Sequence, residues 1–125
     1  MHIQRNNYQE LGLPVGPYTH AVIHNNVLYT SGLTAFGSHA QQGSISEQAK
    51  EIFTQLAFIC SQQNTVIANI IKVTIFVCEF NDMQELRETL FNIYNVNIPA
   101  SSLIQVDALF MKDLKIEIEA IVAIL

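Results

Sequence analysis

Two carboxylates sit two residues apart in the stretch KIEIEAIVAIL, Lys115 to Leu125. The stretch is β-branched and aliphatic enough to read as a strand, and alternate side chains on a strand point to opposite faces. Glu117 and Glu119 therefore share one face with Ile121, Ala123 and Leu125, while Ile116, Ile118, Ala120, Val122 and Ile124 share the other. Held in a dry cleft, one carboxylate acts as an acid, a base or a water-orienting group. The plainer alternative is a wet sheet edge, with both glutamates solvated or paired with Lys115 or Lys72. A glycosidase pair is disfavoured, because neighbours on one strand point the same way rather than across a cleft.

The other polar residues carry less. His20 and His24 lie on one face of a second predicted strand, about 13 Å apart by strand rise, too far to share a metal ion. His2 and His39 lie near loops, and no further ligands complete a zinc or iron site. Ser31 and Gly32 end a strand, and Ser101 and Ser102 begin one after Pro99. With no G-x-S-x-G elbow, a serine hydrolase has no support. Nucleotide binding has none either, since neither a Walker loop nor a GxGxxG motif occurs. Arg87, one of two arginines, is either an exposed helix residue beside Gln84 and Glu88 or an anion clamp, a role suited to its planar two-point fork.

The chain has 125 residues, half of them hydrophobic and only 14% charged, against about 25% in ordinary domains. That length suits one domain, residues 1–125. So little charge leaves too little polar surface for a monomer and predicts burial in an oligomer. The formal net charge is −5, and the six Lys and Arg residues form no basic stripe, so nucleic acid and anionic membranes are not expected partners. The apolar run Ala120–Leu125 is far too short to span a bilayer. Cys60 and Cys78 show no CxxC spacing and read as free thiols in apolar runs. Together with a start, MHIQRNNYQE, that lacks a signal-peptide pattern, they predict a cytoplasmic protein.

Elements follow from periodicity. A short strand at Ile3–Arg5 precedes the loop LGLPVGPY. Thr19–His24 and Val27–Leu33 read as strands joined at Asn25-Asn26, residues that tolerate a tight hairpin turn. Ser44 and Glu47 have capping-box spacing, followed by the helical stripe Ala49, Ile52, Phe53, Leu56, Ile59 and Cys60. Ile70–Cys78 reads as a strand with apolar residues on both faces. A second capping box at Asp82 and Glu85 predicts a helix with the stripe Met83, Leu86, Leu90, Ile93 and Tyr94. Two more strands follow, Ser102–Phe110 and Lys115–Leu125, joined by a hairpin over Ala108–Lys115. Two helices with one stripe each cover one sheet face only. The other face stays apolar enough to call for a second copy of the chain, which places Glu117 and Glu119 at or near an interface.

The blocks GPYTHAV (Gly16–Val22), LYTSGL (Leu28–Leu33), KVTIFV (Lys72–Val77), IPASSLIQVDAL (Ile98–Leu109) and KIEIEA (Lys115–Ala120) occur in an order and spacing that resembles the reactive intermediate deaminase family, RidA/YjgF. The resemblance spans nearly the whole chain. It implies an α+β, chorismate-mutase-like mixed sheet with two helices on one face, and a homotrimer with three clefts between subunits. It also implies hydrolysis of reactive enamines or imines to 2-oxo acids and ammonia without metal or organic cofactor, so that an imine or 2-oxo acid is the expected ligand. By the same resemblance Tyr18 lines the cleft, Ser31 and Gly32 form its floor, and Glu117, not Glu119, orients the water. One position departs: the family reads Pro-Ala-Arg where this chain reads Pro99-Ala100-Ser101, so the arginine that grips a substrate carboxylate is a serine, followed by Ser102. The resemblance also places Phe110-Met111 where Leu-Pro is common, and Arg87 at a position bordering the cleft, where it could supply the missing cation. The alternative expectation is a non-catalytic homotrimer that binds a small ligand or a protein in the same clefts.

Overall fold

The computed structural model describes residues 2–125. Eight elements carry the fold: β1 (Gln4–Asn6), β2 (Ala21–His24), β3 (Val27–Thr30), α1 (Ile45–Gln62), β4 (Ile70–Val77), α2 (Met83–Tyr94), β5 (Ala100–Gln105) and β6 (Ile116–Ala123). The strands form one mixed sheet in the order β1-β2-β3-β6-β4-β5. All neighbours are antiparallel except β4 and β5.

The β2–β3 hairpin turns on Asn25 and Asn26, both at positive φ (53° and 61°). Two consecutive left-handed residues make the turn whose twist matches that of the flanking strands. Helix α1 begins as its spacing predicts. Ser44 is extended, its hydroxyl accepts the Glu47 N–H at 3.1 Å, and the Glu47 carboxylate accepts the Ser44 N–H at 2.8 Å. The whole predicted stripe, Ala49 through Cys60, is buried. It packs on Leu28, Val73, Ile75, Ile116, Ile118 and Val122, which the strand alternation turns to the same side of the sheet. Helix α2 covers the rest of that face through Met83, Leu86 and Tyr94, with Leu90 and Ile93 partly buried against the core. Phe53 of α1 meets the Tyr94 ring edge-to-face at 5.6 Å. Both helices therefore lie on one face, and the architecture is α+β.

The opposite face is uncovered within the chain. The register puts Tyr29 beside Ile121, Phe76 beside Glu117 and Ile104, and Thr74 beside Glu119 and Ser102. Strand β4 thus carries apolar residues on both faces: Val73, Ile75 and Val77 on the helix side, and Phe76 on the other, where Lys72 and Thr74 precede it.

Four expectations are corrected. Asp82 stands at the start of α2 but makes no side-chain cap. Its backbone (φ −106°, ψ 35°) is not extended, and only an extended cap residue aims its oxygen at the first turn. Strand β5 ends at Gln105, well short of Phe110. It does not form a hairpin with β6 either. Helix α2 carries the chain back along the sheet, so β5 emerges parallel to β4. Residues 106–115 then cross to the far side of β4, where β6 enters between β3 and β4. The N-terminal strands are also displaced or shorter than read: β1 ends at Asn6, β2 starts at Ala21 and β3 stops at Thr30. The residues released at those ends build the cleft described below.

Gln48 ties the sheet centre to α1. Fully buried, it donates from Nε2 to the carbonyls of Gln41 (3.0 Å) and Asp113 (2.9 Å), and its Oε1 accepts the Lys115 N–H at 2.9 Å. The two helix starts give a direct comparison. Ser44→Ala is expected to lower stability by about 1 kcal/mol, whereas Asp82→Ala, which removes no side-chain cap, is expected to cost clearly less. Urea unfolding of both variants checks this, and equal losses would contradict the geometry.

Candidate functional site

At the end of the sheet where β2 starts and β3 stops, the chain opens a cleft of about 870 Å³. Its floor is made by hydrogen bonding among the released residues. Ser31 N–H donates to the His20 carbonyl at 3.0 Å, and the Ser31 hydroxyl donates to the Thr19 carbonyl at 2.5 Å. Leu33 then exchanges both backbone bonds with Ile118 of β6, at 2.8 and 3.0 Å. Gly32 is held between these anchors, beside Glu117.

That contact explains the glycine. Its φ is not in the left-handed region; what requires a missing side chain is space. A Cβ at position 32 would stand 2.7 Å from the Glu117 carboxyl carbon, inside any tolerable separation. The Glu117 carboxylate thus lies against bare backbone. It is half-buried, and burial first, then the like charge of Glu119, raises its pKa above the ordinary carboxylate range. Glu119, one alternation further along β6, is exposed and lines the same cleft.

Tyr18 lines the cleft from the 9–18 loop. Its N–H donates to the Gly16 carbonyl at 2.9 Å and its hydroxyl accepts the Val15 N–H at 3.3 Å, so the ring folds back over its own turn. His20 also contributes to the wall. Its Nδ1 accepts the Tyr8 N–H at 2.9 Å and its ring stacks on Tyr8. Burial lowers its pKa, so the neutral ring carries its proton on Nε2. Two aromatic residues complete the mouth. Phe36 and Phe110 meet edge-to-face at 5.1 Å, one from the loop after β3 and one from the loop before β6.

Four residues read from the sequence, Tyr18, Ser31, Gly32 and Glu117, are therefore together in one cleft. Arg87, Ser101 and Ser102 do not line it. Arg87 is exposed on α2, where Gln84 and Glu88, its expected neighbours, bond to each other instead. Ser101 pairs with Val73 and so faces the helix side of β5, whereas Ser102 pairs with Thr74 and faces the glutamate side. The pairing of Phe36 with Phe110 left no local trace in the sequence, because 73 residues separate them and both lie in loops. Chemically, the cleft offers a half-buried carboxylate, a group able to accept a hydrogen bond and to exchange a proton. Ser31 is not arranged as a nucleophile, since its hydroxyl proton is committed to Thr19. Among the described residues no three His, Cys, Asp or Glu side chains converge as metal ligands, and no helix is long and apolar enough to cross a membrane.

A six-stranded mixed sheet with both helices on one face and a carboxylate-bearing cleft at its end defines a RidA-like α+β protein. Solved structures share this fold. Yeast Mmf1 is 26% identical with a TM-score of 0.86 over 98% of each chain. RidA from the Antarctic bacterium Psychrobacter sp. PAMC 21119 is 25% identical with a TM-score of 0.87, over 97% of this chain and 99% of that one. Residues 9–124 match the Endoribonuclease L-PSP profile, and the chain belongs to this family, also called RidA/YjgF. Similar relatives include proteins named 2-iminobutanoate/2-iminopropanoate deaminase. The one from Dermatophagoides farinae is 30% identical over 114 residues, 89% of this chain and 88% of the relative. The one from Homo sapiens is 30% identical over 110 residues, 86% and 80% respectively.

The geometry makes the Glu117 carboxylate a strained charge. Its folded-state pKa lies above its unfolded value, so the folded protein binds the proton more tightly. Stability attributable to this group is then highest below the unfolded pKa and falls as pH rises toward and through the folded one. Glu117→Gln is expected to stabilise the protein near neutral pH and to change little in mild acid, as read by urea unfolding at the two conditions. Gly32→Ala is expected to leave the protein folded, because the atoms displaced belong to a flexible side chain, but to move the carboxyl. A carboxyl NMR titration in which Glu117 behaves identically in wild type and Gly32→Ala would contradict the contact.

Proposed function

We propose that the protein is a deaminase that hydrolyses reactive 2-imino acids and their enamine tautomers to 2-oxo acids and ammonia, with a specificity or rate altered from that of its relatives. The observation that carries this is the Glu117 carboxylate, half-buried against Gly32 on the floor of a cleft. Support comes from relatives of about 30% identity whose names state such a deaminase activity. Glu117 holds a water molecule, takes its proton as the oxygen attacks the imine carbon, and returns that proton to the departing nitrogen. Its raised pKa suits both halves of the exchange. Backbone groups around Ser31 and Gly32 hold the substrate beside it, under Tyr18. No organic cofactor or metal is needed for this step. The specificity is altered because Ser101 stands where the family resemblance places a carboxylate-binding arginine.

The working form is proposed to be a homotrimer, with each cleft completed by a neighbouring copy. The uncovered sheet face and the separation of Ser101, Ser102 and Arg87 from the cleft of their own chain both favour it. Arg87 and the two serines enter the site only from such a neighbour. A cytoplasmic setting fits Cys60 and Cys78, both free thiols. The second reading, a non-catalytic trimer that binds a small ligand or a protein, is favoured by Ser101 alone.

Ammonia release from a panel of imines, generated in place by amino-acid and amine oxidases, tests the reaction. At least one imine should be hydrolysed well above the spontaneous rate, with Glu117→Gln losing about a hundredfold or more of that acceleration. No acceleration across the panel would favour the binding reading. Sedimentation equilibrium should return three chain masses, and a monomer would remove the shared cleft.

A further inference from the structure

We propose that Gln48 is a positioning residue for the mouth of the cleft. Its side-chain amide joins the loop after β3 to the loop before β6, and so sets where Phe36 and Phe110 stand relative to Glu117. The amide is fully buried and its capacity is used on both sides. Nε2 donates to the Gln41 carbonyl at 3.0 Å and to the Asp113 carbonyl at 2.9 Å, while Oε1 accepts the Lys115 N–H at 2.9 Å. An amide nitrogen carries two donors in one plane, and here they go to different loops. Moving either loop alone breaks one of these bonds and strands a buried N–H, and an unpaired polar group inside a protein is costly.

Other contacts tie the same two loops together. Leu114 is buried with Ala35 and Ala40, and Leu109 packs partly buried against them, in a cluster separate from the main core. One leucine and two alanines bury too little apolar surface to hold two loops by themselves. Gln42 donates to the Asp113 carboxylate, and Lys115 Nζ donates to the Gly43 carbonyl at 2.7 Å. Gln55, about two turns further along α1, anchors the start of the first loop by donating to the Thr34 carbonyl at 3.0 Å. Phe36 and Phe110 belong to these loops, meet across the joint and line the cleft. All of these contacts lie within one chain, so a neighbouring copy adds to the cleft without supplying them.

The consequence for catalysis rests on the deaminase reading above; the coupling of the loops does not. Gln48→Met keeps the length of the side chain and removes the amide. Hydrogen exchange read by mass spectrometry should show residues 34–43 and 106–115 exchanging faster together, by about tenfold or more, with β3, β4 and the rest of α1 still protected. On the imine hydrolysed best in the panel above, KM should rise by about threefold or more with kcat nearly unchanged, because Glu117 is untouched. If Gln48→Met fails to fold, Gln42→Ala combined with Lys115→Met removes two of the ties from exposed side chains and should loosen the same two loops. Faster exchange in one loop only, or in neither, would overturn the coupling. Loosened loops with KM unchanged, or with kcat falling instead, would overturn the positioning role. Loops that loosen together in a protein that hydrolyses no imine would uphold the coupling and overturn the deaminase reading.

Discussion

Strand β6 is hydrogen-bonded on both sides, to β3 and to β4, and its two faces are chemically opposite. Ile116, Ile118, Ala120 and Val122 are buried under the helices, while Glu117 and Glu119 face the other way. A slip of one residue would exchange the faces, driving two carboxylates into the apolar core. No such slip is affordable, so the register of the central strand is fixed by burial, and Glu117 with it. The remaining cleft components are arranged around that fixed point. Leu33 locks onto Ile118, Gly32 is held beside the carboxylate, and Ser31 fastens the incoming 19–20 segment to the floor.

The site is thus a by-product of strands that end early. Where regular pairing of β2 and β3 stops, the backbone needs other partners, and it finds them in Ser31, His20, Thr19 and Ile118. These bonds position the glycine without relying on packing. The carboxylate against it meets less water than an exposed one and feels the charge of Glu119, two effects that favour its protonated form. A group that gives up and regains a proton readily is costly in a fold and useful in a cleft. His20 shows the complementary solution: buried and hydrogen-bonded at Nδ1, it is kept neutral and adds no charge.

Much of this was legible in the sequence because local patterns coincide with tertiary roles. Alternation separated the two faces of KIEIEAIVA, the spacing from Ala49 to Cys60 gave the buried stripe of α1, and Asn25-Asn26 gave the hairpin turn. The family blocks placed Tyr18, Ser31, Gly32 and Glu117 in one site. What escaped was non-local. Capping-box spacing at Asp82 looks like that at Ser44, but the cap depends on backbone angles that the residue types do not set. Strand β5 continues in hydrophobicity past Gln105, yet it ends where β4 ends, because an edge strand is only as long as its partner. Likewise the hairpin expected before β6 fails because β4 occupies the place between the two strands. The Phe36–Phe110 contact at the mouth depends on two loops being brought to the same end of the sheet.

The placement of β6 has a consequence for the order of events when the chain is made. It is the last strand in sequence and yet lies inside the sheet, separating β3 from β4. Until residues 116–123 emerge from the ribosome, the β1–β3 meander and the β4–α2–β5 unit have no shared sheet, and the inner edges of β3 and β4 are both unpaired. Nascent chains therefore expose two complementary edges that any extended apolar segment can occupy. Insertion of β6 is a late, long-range step that closes both edges at once, and Gln48 of α1 then receives the backbone of Asp113 and Lys115. The interval before β6 is in place is thus the one in which both edges are open to mispairing.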